Sequence, residues 1–492
     1  MIVDNIINEL ILPEFSIAVL IGLMVLVDLL ISKRFKIIIY LLSQTGLLLT
    51  IFFVWNNFKF GVQGCENLNN NFIAQHGFIL NPEINCLKLI IVSLTFVIFV
   101  YIKDYLSQIN SKIYTEYFVL NLFSLLGVML LVSSNNFFNF YFGMEMAFLP
   151  IYILVGINQR NSGLEVSIKY IILSAIFSGV FLYGLSLIYG ASGGLTFKTV
   201  IEFIQNQHIS GVFNVGITLV LIGIFFKLHI FPFQFWAPGV YRISSCPIIM
   251  LISSLPKIAL IGVLGYLFKD VLCNYINLYW KNILLMTSLS SMFVGNFGAI
   301  IQNNIKSMLA YSAIANSGFI LLGLVNNTPE GVLAANFCVI SYALVIINIL
   351  GCLIVLNNHK RFEEVEDFVG LSKEHPWISA MLLILLLSMV GVPPTIGFYA
   401  KFLIVKSLIK IDLIWVAVTA GLLSAISLIY YLKIIKNMYF IENYKQSSSY
   451  SVDFNQGVAT TTISKSNCST IMLLTINSLL VLFLGFFRLL KI

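Results

Sequence analysis

A chain of 492 residues is long enough for several water-soluble domains, yet 59% of it is hydrophobic, only 10% is charged, and its mean hydropathy is +0.96. Such a composition excludes an ordinary soluble protein and puts most of the chain in lipid. The net charge of +7 is scattered singly through loops and forms no dense stripe, which argues against nucleic acid and for membrane topology.

Residues 1–9 carry Asp4 and Glu9 and no basic side chain, so neither a secretory signal nor an Arg-rich transit peptide is read there. Apolar runs close to the roughly 20 residues needed to cross about 30 Å of hydrocarbon then follow almost without pause. They lack the alternation of barrel strands, and an open sheet in lipid would leave backbone groups unpaired, so the expected fold class is an all-α polytopic membrane protein. Spans are read at 15–31, 37–55, 87–102, 117–132, 137–157, 166–189, 211–241, 247–268, 283–301, 308–325, 331–356, 377–409, 413–439 and 470–488, about fourteen transmembrane helices. Lys33, Arg34 and Lys36 place the first loop on the cytoplasmic or matrix side. Alternation from there gives about 15 basic residues in inner loops and about 8 in outer ones, so both termini are expected outside. The rest, Lys88, Lys169, Lys227, Lys257 and Lys401, fall within spans or at their ends.

Two spans are longer than a straight crossing needs and contain helix breakers: 211–241 at Pro232, and 377–409 at Gly391-Val392-Pro393-Pro394. At about 1.5 Å per residue each would reach roughly 46 Å or more, which suits a broken element better than one rod. Interrupted segments in corresponding positions of two halves are the sequence pattern of an inverted-repeat transporter. The breaks are five spans apart, so two inverted five-helix repeats are expected, helices 4–8 and 9–13. The domains become 1–112, 113–269, 270–445 and 446–492, the last a polar loop and a fourteenth helix.

The candidate chemistry lies in four intramembrane ionisable groups. Lys227 sits near the middle of its span, where a charge costs roughly 2.5–3.5 kcal/mol on insertion scales and persists when it meets a counter-ion or lines a wet cavity. Its structural alternative is a static ion pair. Glu145 is the most central acid and the expected partner; separating the two would release the lysine's proton. Lys257 follows Pro256, which frees a backbone carbonyl, and is placed to relay. Lys401 follows the second break and would exchange protons with the far side, the plainer reading being an interfacial lysine reaching headgroups. His229 is a secondary candidate, more simply a packing residue on another face. Glu165 and Lys169 are read as an i,i+4 ion pair, Lys88 and Lys306 as boundary anchors, Asp28 as a polar helix end, and residues 363–374 as a solvated charged turn. The 7 cysteines form no C-x-x-C or Cys/His cluster that would bind a metal or iron-sulfur centre, and Cys65 and Cys86 are expected to be free thiols, with pairing as the alternative.

These residues resemble one family. Phe226-Lys227-Leu228, Phe231-Pro232-Phe233, Trp236-Ala237-Pro238, Val240-Tyr241, Pro247 and Pro256-Lys257 are similar to the signature of the antiporter-like subunit 2, or bacterial subunit N, of respiratory complex I. Further matches are Glu145 with Leu149 and Tyr152, Lys169-Tyr170, Leu309-Ala310-Tyr311-Ser312, Glu366-Asp367, and Gly391-Val392-Pro393-Pro394 with Gly397-Phe398 and Lys401. The resemblance covers roughly residues 115–440. It implies a fourteen-helix, two-repeat fold with a proton path at Glu145, Lys227, Lys257 and Lys401. It also implies membership of a proton-translocating NADH:ubiquinone reductase, with no redox chemistry in this chain. NAD, FMN, iron-sulfur clusters and ubiquinone would be bound by other subunits, and no cofactor or metal here. The implied partners are other membrane-arm subunits, neighbouring antiporter-like ones included, and the bilayer. The mitochondrial inner membrane is the expected location, a bacterial plasma membrane the alternative; an autonomous or Mrp-type cation/proton antiporter is the alternative function. Gln234 and Asn316 stand where the family commonly has histidine, and Gly239 and Arg242 where it has acids.

Overall fold

Helix accounts for nearly all of what the computed structural model describes, namely residues 2–30, 36–64, 78, 81–109, 113–157, 161–205, 211–271, 278–325, 327–357, 362–441 and 468–489. Among them the only strand-like pairings are isolated bridges. The helices are α1 (Ile2–Leu30), α2 (Lys36–Gly64), α3 (Pro82–Ile109), α4 (Tyr114–Val132), α5 (Phe137–Gly156), α6 (Asn161–Ser192), α7 (Phe197–Gln205), α8 (Gly211–Lys227), α9 (Ala237–Ile243), α10 (Cys246–Ser253) and α11 (Leu255–Tyr266). They continue with α12 (Leu278–Ile301), α13 (Ile305–Leu324), α14 (Pro329–Leu356), α15 (Leu371–Glu374), α16 (Pro376–Val390), α17 (Ile396–Ile409), α18 (Ile414–Phe440) and α19 (Cys468–Leu489). Twelve candidate spans among the described residues are long and apolar enough to cross a membrane, and the two long spans singled out by their breakers supply the remaining crossings as broken helices. The chain is therefore a multi-pass membrane protein.

The first break runs from Leu228 to Trp236, between α8 and α9. Pro232 has no N–H to continue a helix, and the carbonyls freed at the end of α8 find other donors: Ile230 N reaches Phe225 O at 3.0 Å and the Trp236 indole N–H reaches Phe226 O at 3.1 Å. The second separates α16 from α17. Gly391 adopts a left-handed φ of +90° and its N–H returns to Leu387 O, a helix-ending geometry that favours glycine. The two half-helices then approach so closely that a Cβ on Gly397 would lie 1.9 Å from Ser388 O. Gly397→Val is accordingly expected to cost several kcal/mol, on the order of other severe overpacking changes, and to deplete the chain from membranes on an immunoblot; wild-type abundance would contradict this packing.

Packing runs from a buried centre to a lipid-facing rim. The spans containing α10–α11, α13 and α14 are 94%, 89% and 89% buried, whereas α18 and α19 are 33% and 28% buried. Glycines let paired helices touch: α4 against α5 at Gly127 and Gly143, and α12 against α13 at Gly295 and Gly318. Asn136 caps α5 by accepting from Asn139 N, and Asn304 caps α13 by accepting from Lys306 and Ser307 N; the two asparagines bridge to Thr196 and Glu364 respectively.

Several expectations change. Lys88 is not a boundary anchor: it is buried and donates to Glu14 Oε1 at 2.5 Å, joining α3 to α1. The eighth span is two helices, interrupted at Ser254 just before Pro256. Residues 197–205, read as loop, form α7, which buries Phe197, Val200 and Ile204 on one face with Phe197 against Phe137 and Tyr266. The charged turn keeps Glu363, Glu364, Glu366, Lys373 and Glu374 exposed as expected, while its backbone is docked against the helices. Val365 N bonds Asn303 O, Ile305 N bonds Glu363 O, and the Asn437 amide donates to Val365 O. The Glu165–Lys169 pair forms as expected, exposed, at 2.5 Å. Asp28 accepts from Thr115 Oγ1, tying α1 to α4, and Lys306 donates to Ser244 O. Cys86 is a free thiol; Cys65 lies outside the described residues.

Candidate functional site

Glu145 and Lys227 meet where α5, α6 and α8 converge. Lys227 is the last residue of α8, at the partially negative end of a helix dipole. Its side chain is 1% exposed and that of Glu145 17%, with 3.3 Å between Nζ and Oε1. Lys227 Nζ also donates to Tyr152 Oη at 2.5 Å and to Ser174 Oγ at 2.7 Å, so its three N–H donors have three acceptors. Ser178 Oγ donates to Glu145 Oε1 at 2.6 Å. The Phe148 ring sits 4.8 Å from Nζ. Ser174 and Ser178, one turn apart on α6, escaped sequence reading because serines in a transmembrane helix commonly bond their own backbone.

Lys257 is the third residue of α11, at the centre of the molecule and 2% exposed. Nζ donates to Ser317 Oγ at 3.0 Å, lies 3.5 Å from Ala313 O, and stands 5.3 Å from the Tyr342 ring centroid. Among the described residues no carboxylate forms an ion pair with it. Lys401, on α17, turns back across the break and donates to Val390 O at 2.7 Å and Met389 O at 3.0 Å, the carbonyls that end α16. That contact makes it an internal cap of the broken helix, not a headgroup-seeking lysine.

The expected residues are thus brought together only in part. Glu145 and Lys227 are in direct contact, while Lys257 and Lys401 have different hydrogen-bond partners and touch neither of them. His229 lies in the first break, not on a helix face, with a left-handed φ of +60°. It packs 4.5 Å from Trp236 and neither ring nitrogen has a partner among the described residues. Asn316 donates to Ser312 O, and the side-chain amide oxygen of Gln234 has no partner among the described residues. Among the described residues no three His, Cys, Asp or Glu side chains converge as a metal site.

Two broken helices, each presenting a lysine at freed helix-end carbonyls or beside them, define an antiporter-like membrane protein. Residues 134–427 match the family model described as NADH:quinone oxidoreductase/Mrp antiporter, transmembrane. The chain belongs to that family. It is 36% identical over 485 residues, 97% of this chain and 94% of the relative, to the NADH-quinone oxidoreductase subunit N of Ruthia magnifica subsp. Calyptogena magnifica. Its fold matches a chain of respiratory complex I from Thermus thermophilus with bound Aureothin at a TM-score of 0.73, with 22% identity and 97% of each chain covered. It also matches a chain of the Mrp complex from a Dietzia species at 0.79, with 18% identity, covering 97% of this chain and 95% of that one.

Proposed function

We propose that this chain is a membrane-arm subunit of a proton-translocating NADH:quinone oxidoreductase. In this reading it moves protons through Glu145, Lys227, Lys257 and Lys401 while quinone is reduced in other subunits. The contact of buried Lys227 with partly buried Glu145 carries the reading. Tyr152 and Ser174 accept from an ammonium, and because they bond each other through one hydroxyl hydrogen, the other is left to donate to a neutral amine. Lys227 can therefore lose its proton without leaving its neighbours unsatisfied. A static ion pair would need acceptors only. Separating Lys227 from Glu145 would destabilise the ammonium and release a proton toward Lys257 and then Lys401.

The sequence relatives favour a complex I subunit over an Mrp-type antiporter, because likeness of fold extends to both. Those relatives are bacterial and carry the name subunit N, which favours a bacterial plasma membrane over the mitochondrial inner membrane expected from the sequence. Loop charge assigns both termini to the outer side. The paired asparagine caps, glycine contacts and breaks support two repeats bounded near residues 113–269 and 270–445, inverted because each has five crossings. NAD, FMN, iron-sulfur clusters and quinone belong, in this reading, to partner subunits.

The test is a native gel of solubilised membranes. The polypeptide is expected to comigrate with NADH dehydrogenase activity that quinone-site inhibitors block; migration alone, or only with other antiporter-like chains, would refute the assignment.

A further inference from the structure

Lys257 and Lys401 share no partner: one bonds Ser317 and the other the carbonyls ending α16. Tyr342, on α14, reaches toward both. Its ring lies beside the Lys257 ammonium, and the residue is 5% exposed. Its hydroxyl is buried and has no hydrogen-bond partner among the described residues. It lines a water-sized void, apolar over most of its surface, to which Asn316, Ser341, Ser388 and Lys401 itself bring polar groups. A buried hydroxyl without a partner is costly, and a void lined by several polar groups is where an internal water settles. A second small void, to which Asn296, Asn316, Ser427 and Tyr430 bring polar groups, also borders Lys401.

We propose that Tyr342 is a relay residue that joins Lys257, beside its ring, to Lys401 through a water in the void that Tyr342 and Lys401 both line. The inference rests on the proton-path reading above and adds a residue to it. The hydroxyl oxygen takes a proton from the Lys257 side as its own O–H bond breaks toward the water, and the water passes a proton to the Lys401 amine in the same way. One N–H bond is lost at Lys257 and one is gained at Lys401. Tyrosine and water end as they began, and no electrons move.

The experiment uses sealed vesicles containing the assembled enzyme. Tyr342→Phe keeps the ring beside Lys257 and removes only the hydroxyl. It is expected to leave NADH oxidation by an artificial electron acceptor unchanged while lowering NADH-driven proton uptake at least fivefold. Tyr342→His, which restores a group able to accept and donate, is expected to recover part of that loss, and a role confined to packing would not produce recovery. Cys338→Leu fills the same void and leaves the hydroxyl in place, so it should show the same defect even if Tyr342→Phe fails to assemble. Normal uptake with Tyr342→Phe or Cys338→Leu, or a histidine variant no better than phenylalanine, would overturn the relay. Lys401→Met is measured in parallel. If it is defective where Tyr342→Phe is normal, only the relay falls; if it pumps normally, the proton-path reading falls with it.

Discussion

Replacing Lys227 by alanine is expected to lower NADH-driven proton uptake into sealed vesicles at least tenfold while the complex still assembles. The substitution removes the lysine that contacts Glu145, Tyr152 and Ser174. Breaking a buried pair by removing one partner commonly costs about 3–5 kcal/mol, because an uncompensated charge is left behind. Here the penalty is limited in two ways: Glu145 retains the Ser178 hydroxyl and can become neutral by binding a proton, and Tyr152 and Ser174 remain bonded to each other. Lys227→Arg separates the two roles of the residue. A guanidinium pairs with a carboxylate but does not deprotonate in proteins, so assembly should be kept and pumping should stay low. Normal uptake with Lys227→Arg would reduce the pair to a structural bridge and remove the main support for the proposed path.

The architecture was legible in the sequence wherever lipid imposes the rule. An unbroken apolar run of about twenty residues leaves the backbone one way to satisfy its hydrogen bonds, so the spans were readable from hydropathy. The two breaks were readable because Pro232 and Gly391-Val392-Pro393-Pro394 interrupt runs too long to be straight. Lys88 was misread because a charge seven residues into α3 looks like a snorkelling anchor when its partner, Glu14, lies 74 positions away in α1. Helix α7 was missed because nine amphipathic residues are too short for a crossing and look like loop. At the candidate site, charges in apolar surroundings drew notice by their cost, while the hydroxyls around them did not. Ser174, Ser317 and Tyr342 are ordinary residues in transmembrane helices, and only their convergence on Lys227 and Lys257 distinguishes them.

Lys257→Met is expected to lower proton uptake as severely as Lys227→Ala, at least tenfold, with the opposite consequence for stability. Lys257 is fully enclosed at the centre of the helix bundle, with one hydroxyl at 3.0 Å, a distant carbonyl at 3.5 Å and an aromatic ring beside it. No carboxylate among the described residues pairs with it. A lone ammonium so placed bears the desolvation cost of a buried charge with little Coulombic return, and replacing such charges with apolar groups of similar volume is often neutral or stabilising. Methionine is unbranched, close in length and flexible enough to fill the site. Ser317 keeps its bond to Ala313 O when the ammonium leaves, so no polar partner is stranded. Thermal inactivation of NADH:quinone activity should therefore occur at the same temperature as in the unmodified complex, or higher, while Lys227→Ala lowers it. The contrast is informative because a residue whose removal leaves the fold intact or firmer, yet stops pumping, is one that the structure carries at a cost for transport. If Lys257→Met instead destabilised the complex and left the uptake per NADH oxidised unchanged, Lys257 would be a packing residue, and the route from Lys227 to Lys401 would have to avoid α11.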